Sequence, residues 1–174
     1  MLDRPGAVTA IVSQNGNAYE DGLGGFWDGV KKFWENPKAL RDDLKQNFTS
    51  FETTKWQVRA HTFASRVYCL TILILQYVNG APNPDTIAPE AYNLDYYLMT
   101  RPGNADIQMD IIYDYRTNLK LYPEFHKYFR QHKPPVLAVW GKNDAIFIPA
   151  GAEAYKKDNP NADVKFVDSG HFPL

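Results

Sequence analysis

An aspartate and a histidine near the end of the chain are the residues whose types and spacing could do chemistry. Asp144 lies in "WGKND" and His171 in "DSGHF", and each follows a stretch typical of a strand. If the two side chains meet, the carboxylate would hold the imidazole in one tautomer and stabilise its protonated form, as in the second half of a catalytic triad. The alternative is a turn aspartate and a loop histidine that share no role.

The segments around this pair predict an α/β arrangement. Residues 134–141, "PPVLAVWG", are an apolar run bounded by proline and glycine, and "ADVKFVD" predicts another strand from Ala162. Between them, "PAGAEAYKKDNP" predicts a helix with Pro149 in its first turn. Strand, helix and strand in this order form a parallel unit with a right-handed crossover. Both strands would then end at the same edge of the sheet, and Asp144 and His171 with them.

A further strand is predicted near the start of the chain. Residues 7–14, "AVTAIVSQ", are small or β-branched residues that stop before an Asn-Gly pair. Sites in parallel α/β sheets lie beyond the carboxyl ends of the strands. Asn15 and Asn17 therefore join Asp144 and His171 as polar residues at the predicted edge.

Most of the chain between these strands has helical periodicity. Apolar residues recur every three or four positions, and prolines stand near the predicted helix ends. The predicted apolar faces are Phe26, Val30, Phe33 and Trp34 in the first helix, Leu40, Leu44 and Phe48 in the second, and Ile107, Ile111 and Tyr115 in a third that Pro123 closes. A further short helix is predicted at residues 124–133.

Composition excludes several function classes. The 174 residues carry a formal net charge of −1, so no basic field favours nucleic acid or an anionic membrane. The single cysteine excludes an intramolecular disulfide framework and a cysteine-based zinc site, and the four histidines show no HExxH spacing. No glycine-rich phosphate-binding motif follows a strand. We therefore predict no metal, no cofactor and no nucleic-acid partner.

The sequence also lacks the marks of a secreted or membrane protein. The N-terminus has no signal-peptide pattern, and the longest apolar run, residues 67–75, is about half the length of a membrane span. These features predict a soluble, cytoplasmic protein with no membrane partner.

Several stretches resemble the α/β-hydrolase superfamily. They are "WGKNDAIFIPAGAEAYKKDNPNADVKFVDSGHFPL", "VTAIVSQNGNAYEDGL" and "RPGNADIQMDIIYDYRTNLKLYPEF", which look like the branch of epoxide hydrolases and haloalkane dehalogenases. The resemblance implies a partial α/β-hydrolase fold, with three C-terminal parallel strands and an inserted α-helical cap. It makes Asp144 the triad acid and His171 the base. Residues 1–19 and 131–174 would form the incomplete core, and residues 20–130 the cap.

The group that such a hydrolase uses for attack has no counterpart in the sequence. A nucleophile elbow has the form G-x-S-x-G, or an Asp-centred version, on a turn after a strand. No serine and no aspartate stands between glycines at that spacing. We therefore expect a C-terminal fragment that is inactive alone. Its parent would hydrolyse epoxide, carbon–halogen or ester bonds in a small apolar substrate, with an upstream aspartate or serine as nucleophile.

Aromatic residues of the predicted cap are candidates to contact a substrate. On the resemblance, a tyrosine would polarise an epoxide oxygen and a tryptophan could contact a halide. The site predicted on this basis contains Tyr113 and Tyr115, of which at most one can point into a cavity, together with Trp27 and Asn17. Packing in the core is the alternative for each aromatic residue. Further aromatic candidates are Tyr96, Tyr97, Tyr122 and Trp34.

A second class of function is a protein without catalysis. The chain could be a binding module that holds an apolar ligand in the aromatic cap, or a regulatory decoy of the intact enzyme. An in-frame nucleophile elbow encoded upstream of Met1 would favour the enzyme. A verified transcript with these boundaries would favour the short protein.

Residues 58–76, "VRAHTFASRVYCLTILILQ", are the one segment that the resemblance does not cover. Their codons can open with GT and close with AG, in frame, as a short spliceosomal intron does. We interpret the segment as translated intron of a eukaryotic gene, with no role for Cys69 or His61. The alternative is a genuine helical insertion in the cap. Sequencing the transcript tests this, because a mature message that keeps the segment would refute it.

Overall fold

A computed structural model describes residues 1–48 and 77–172. The segment interpreted as translated intron, residues 58–76, lies outside the described residues. Within them, strands β1 (Ile11–Gln14), β2 (Val136–Gly141) and β3 (Asp163–Val167) form one sheet.

Six α-helices lie within the same two ranges of described residues. They are α1 (Phe26–Glu35), α2 (Pro37–Phe48), α3 (Pro89–Met99), α4 (Asn104–Asp114), α5 (Arg116–His132) and α6 (Ala150–Asp158), with short 3₁₀ turns at Pro5–Ala7, Glu20–Gly22 and Pro84–Thr86. None of these helices is long and apolar enough to cross a membrane.

The sheet has the order β1-β2-β3, and both neighbouring pairs of strands are parallel. Helix α6 connects β2 to β3, with Pro149 at its N-terminus. The α/β class and the three parallel strands predicted from the sequence are therefore confirmed. Strand β1 begins at Ile11 rather than at residue 7. Pro5–Ala7 form a 3₁₀ turn, and pairing with β2 starts only where the N–H of Ile11 donates to the carbonyl of Pro135.

One face of the sheet is covered and forms a buried core. Ala138 and Trp140 of β2 are fully buried there, in one cluster with Phe129 of α5 and Tyr155 of α6. Alternate residues of a strand point to opposite faces. On the opposite face Val12 is 72% exposed, although parallel sheets are usually covered on both faces. The described residues therefore leave part of the β1 surface open.

A second apolar cluster joins the helices to the loop after β2. Phe33 of α1, Leu44 of α2 and Met109 of α4 are buried in it, together with Ile146 from that loop. The loop that carries Asp144 is thus held against the helical region by apolar packing.

Helix α4 buries a different face from the predicted one. Ile107 and Ile111 are 54% and 55% exposed, whereas Met109 is fully buried. Met109, Ile112 and Tyr113 form an alternative face with i, i+3, i+4 spacing, and this face packs in the cluster with α1 and α2. Aspartates beside it form ion pairs with basic residues of α2, which fixes the same orientation.

The break between α4 and α5 occurs at Tyr115, not at Pro123 as predicted. Tyr115 keeps helical angles, with φ −52° and ψ −27°, while the chain passes from one helix to the next. Pro123 lies inside α5, where it lacks an N–H group and removes one helical hydrogen bond. Tyr122 and Phe129 are almost completely buried on the same helix, and their packing offsets this local cost.

Candidate active site

The turn after β2 buries the carboxylate of Asp144. Its side chain has no exposed surface. Oδ1 accepts the backbone N–H groups of Ile146 and Phe147, at 2.8 Å and 3.1 Å. Such a side-chain contact with the following backbone fixes the carboxylate within its own turn. It leaves Oδ2 to face residues from the ends of the other two strands.

His171 lies beyond the end of β3, and its ring meets this free oxygen. Nδ1 of His171 is 3.0 Å from Oδ2 of Asp144, and the imidazole side chain is 16% exposed. A carboxylate at this distance accepts a hydrogen bond from Nδ1–H, and in that tautomer of the neutral ring Nε2 carries a lone pair. Nε2 has no hydrogen-bond partner within residues 1–48 and 77–172. The structure thus brings the two residues together in an arrangement that a general base can use.

The end of β1 contributes Asn15, which sequence reasoning placed at this edge but did not select. Its φ of 46° is in the left-handed region, which asparagine tolerates better than most residues. Nδ2 donates to Oδ2 of Asp144 at 2.6 Å and to the carbonyl of Gly170 at 3.3 Å. Oδ1 accepts the N–H of Gly141 at 3.1 Å. Asn15 therefore ties the ends of all three strands around the carboxylate.

Asn17, which the sequence analysis predicts in the site, belongs to a different group of hydrogen bonds. Its Nδ2 donates to the carbonyl of Tyr19 at 2.7 Å and to the hydroxyl of Tyr122 at 3.2 Å. The hydroxyls of Tyr122 and Tyr115 lie 3.2 Å apart. Burial raises the pKa of both Tyr115 and Tyr122, so each keeps its proton at neutral pH. Asn17 and Tyr115 are thus joined through Tyr122, and none of these hydrogen bonds includes Asp144 or His171.

Aromatic rings connect Tyr115 to the surroundings of His171. The ring of Trp27 lies 4.6 Å from that of Tyr115 and 5.3 Å from that of Phe147, centroid to centroid. Phe147 in turn lies 5.8 Å from His171. The indole N–H of Trp27 donates to the carbonyl of Ile146 at 2.9 Å, so this donor is already used within the protein.

Tyr113 is turned elsewhere. Its ring packs edge-on against Phe33 at 5.8 Å, and the guanidinium carbon of Arg116 lies 3.6 Å from the ring centroid. Tyr97 on α3 is 68% exposed. Tyr115 is therefore the predicted tyrosine that connects to the rings beside His171, and Tyr113 does not.

His126 has contacts of a different kind from those of His171. His126 stacks on Tyr19 at 4.2 Å, and its Nε2 is 2.8 Å from the carbonyl oxygen of Ala18. In the part of the chain that the structure describes, no three His, Cys, Asp or Glu side chains are grouped so that they could hold a metal ion. The candidate site is therefore the buried carboxylate–imidazole pair of Asp144 and His171.

A parallel sheet with an acid and a histidine beyond neighbouring strands agrees with the comparison with known proteins. The model of the alpha/beta hydrolase fold family matches residues 8–174, and the chain belongs to this family. It is also similar to a protein of Saccharomyces cerevisiae named Uncharacterized hydrolase YNR064C, with 42% identity over 174 residues. The matched region is 99% of this chain and 54% of the yeast protein, so the chain spans about half the length of that relative.

Proposed function

We propose that these residues supply the acid–base half of a hydrolase active site. His171 would take a proton from water through Nε2, while Asp144 holds the ring and stabilises the imidazolium. The observation that carries the proposal is the 3.0 Å contact between Nδ1 and a carboxylate with no exposed surface. Membership in a hydrolase family supports the same assignment.

The attacking group is the part that we assign to a longer parent polypeptide. No serine or aspartate in the sequence has the spacing of a nucleophile elbow. The yeast relative, of which this chain matches 54%, supports a parent of greater length. The oxyanion-hole donors would come from the same upstream part. Without these groups the chain alone would be inactive.

Two reactions are compatible with this pair. With an aspartate nucleophile, a carboxylate oxygen would attack an epoxide carbon and the carbon–oxygen bond of the ring would break. The alkoxide would take the proton of the Tyr115 hydroxyl, which would regain one from water. Water activated by His171 would then attack the carbonyl carbon of the resulting ester and release the diol. With a serine nucleophile, His171 would also take the hydroxyl proton in the first step, and the substrate would be an ester.

The donors around the site favour oxygen-containing substrates over halides. A departing halide is stabilised by N–H donors. The indole N–H groups of Trp27 and Trp34 already donate hydrogen bonds to the backbone carbonyls of Ile146 and Ile112. Tyr115 keeps a neutral hydroxyl beside the rings that reach His171, and either hydroxyl of the Tyr115–Tyr122 pair can be the donor. When Tyr122 donates to Tyr115, the Tyr115 proton is available for an epoxide oxygen. We therefore infer a small apolar epoxide or ester, bound beneath a helical cap formed by residues 20–130.

Three substrates with one carbon skeleton test this inference. We express the chain joined to the upstream coding sequence of its gene and measure kcat/KM for styrene oxide, 2-phenylethyl acetate and 2-chloroethylbenzene. We expect turnover of the epoxide or the ester. The kcat/KM for the chloride should be lower by at least roughly 100-fold, since one missing donor to a developing anion costs about that factor.

The same polypeptide with His171→Ala gives the background for each substrate. A chloride that is converted as fast as the epoxide and the ester would contradict the assignment of the substrate class. No turnover of any of the three would contradict the proposed function itself.

A further inference from the structure

The loop that carries His171 has no regular secondary structure of its own. It consists of residues 168–172, here called the base loop, which follow β3 directly. The contact of the imidazole with Asp144 is one hydrogen bond, and the backbone of the loop must be held by other groups if that distance is to persist. Two other segments of the chain supply such groups.

Residues 77–80, here called the brace, lie against the base loop. The carbonyl of Asn79 approaches Gly170 so closely that a β-carbon on Gly170 would overlap its oxygen. The rings of Tyr77 and Phe172 lie 4.7 Å apart. The hydroxyl of Tyr77 donates to Asp95 of α3, so the brace is also fixed to the helical region. Contacts at Gly170 and Phe172 thus flank His171 on both sides in the sequence.

Asn143, the residue before Asp144, connects the brace to the base loop. Its Nδ2 donates to the carbonyl of Gly80 at 2.9 Å and to Oδ1 of Asp168 at 3.1 Å. Its backbone N–H donates to the carbonyl of Ser169 at 3.0 Å. One residue therefore contacts both segments directly beside the buried acid.

We propose that Asn143 is a positioning residue for the acid–base pair, which rests on the function proposed above. By joining Gly80 to Asp168 it holds the base loop against the turn after β2 and keeps Nδ1 of His171 in contact with Asp144. Asn143 acts through the loop, because its hydrogen bonds within the described residues reach Gly80, Asp168 and Ser169 and none reaches the imidazole. Its exposed side chain can be shortened without opening a cavity in the core.

Proton NMR of the 174-residue chain tests this role. The Nδ1 proton of His171 gives a far-downfield signal while it is bonded to a carboxylate. We expect Asn143→Ala to raise the exchange rate of this proton with water roughly tenfold, the factor that corresponds to about one net hydrogen bond. Asn143→Asp should raise it further, because it keeps the size of the side chain, removes its donor and places a second carboxylate beside Asp168.

Two controls separate positioning from folding. The indole N–H of Trp140 donates to the carbonyl of Phe147 at 2.7 Å inside the core, so its signal reports an intact fold. Lys142→Ala changes the exposed neighbour of Asn143 and should leave the His171 signal unchanged.

An unchanged exchange rate in both Asn143 variants would overturn the positioning role and leave the pair in place. Loss of the Trp140 signal in both variants would also overturn it, since Asn143 would then support the fold as a whole. If the wild-type chain gives no Nδ1 signal, the acid–base pair itself is wrong, and the positioning role is wrong with it.

Discussion

The substitution His171→Gln is expected to stop turnover by the longer polypeptide that is expressed with the upstream coding sequence. We expect kcat to fall roughly 1,000-fold or more, because a positioned general base contributes about 10² to 10⁴ to the rate. If the nucleophile is an aspartate, the first step does not need His171, and the ester intermediate accumulates. The mass of the intact variant should then increase by the mass of one substrate molecule.

The same experiment identifies the nucleophile. A serine needs His171 to remove its proton, so His171→Gln would lose turnover without a gain in mass. His132→Gln is the matched control, since His132 is exposed in the last turn of α5 and lies outside the proposed site. Turnover by His171→Gln at the wild-type rate would contradict the role of His171 as the base.

Of the variants proposed, Gly170→Ala is expected to have the largest effect on the stability of the fold. A β-carbon on Gly170 would overlap the carbonyl oxygen of Asn79 and would lie 3.0 Å from its carbonyl carbon. Both are backbone atoms, so relief requires that the brace or the base loop move. We expect the free energy of unfolding in urea to fall by about 3 kcal/mol, the upper part of the range for overpacking.

The Nδ1 proton signal of His171 should be lost from Gly170→Ala as well, because the loop no longer fits against Asp144. Gly25→Ala is the matched control, since Gly25 has φ −58° and no atom lies within 4 Å of the added carbon. We expect Gly25→Ala to change stability by less than about 0.5 kcal/mol. Equal stability of the two variants would show that the brace does not pack tightly on Gly170.

The meeting of Asp144 and His171 could be predicted because parallel topology decides it. Each residue follows a strand, and the helix between the strands forces a crossover that puts both strand ends at one edge. The parallel strand topology therefore places the two loops side by side, independently of the side chains around them. The same reasoning placed Asn15 and Asn17 at this edge but chose Asn17 for the site, whereas Asn15 is the one that contacts Asp144.

The choice between Asn15 and Asn17 depends on backbone angles that follow from the tertiary structure. Asn15 has a left-handed φ of 46°, which directs its amide between Asp144 and Gly141. Asn17, two residues further, is directed to the hydroxyl of Tyr122 instead. Asparagine is favoured at such an angle, but both candidates are asparagines, so residue type alone does not tell which of them adopts it.

The buried face of α4 could not be predicted from periodicity, because two faces of the helix are apolar. The face with Ile107 and Ile111 has the more hydrophobic residues, yet Met109 faces the cluster with α1 and α2. Packing against neighbouring helices and the ion pairs of Asp106 with Arg41 decide the orientation. Local sequence likewise favoured Pro123 as a helix end, whereas α4 ends before Tyr115 and Pro123 lies inside α5.

The rate of substrate hydrolysis by the purified 174-residue chain alone tests the central claim most directly. That claim is that the chain supplies an acid and a base for a hydrolase and no attacking group. We predict no rate above buffer with an activated ester or with styrene oxide, because an acid–base pair without its nucleophile loses most of the catalysis. Turnover by the chain alone that disappears in His171→Ala would contradict the account, and it would mean that His171 acts as a base directly on water.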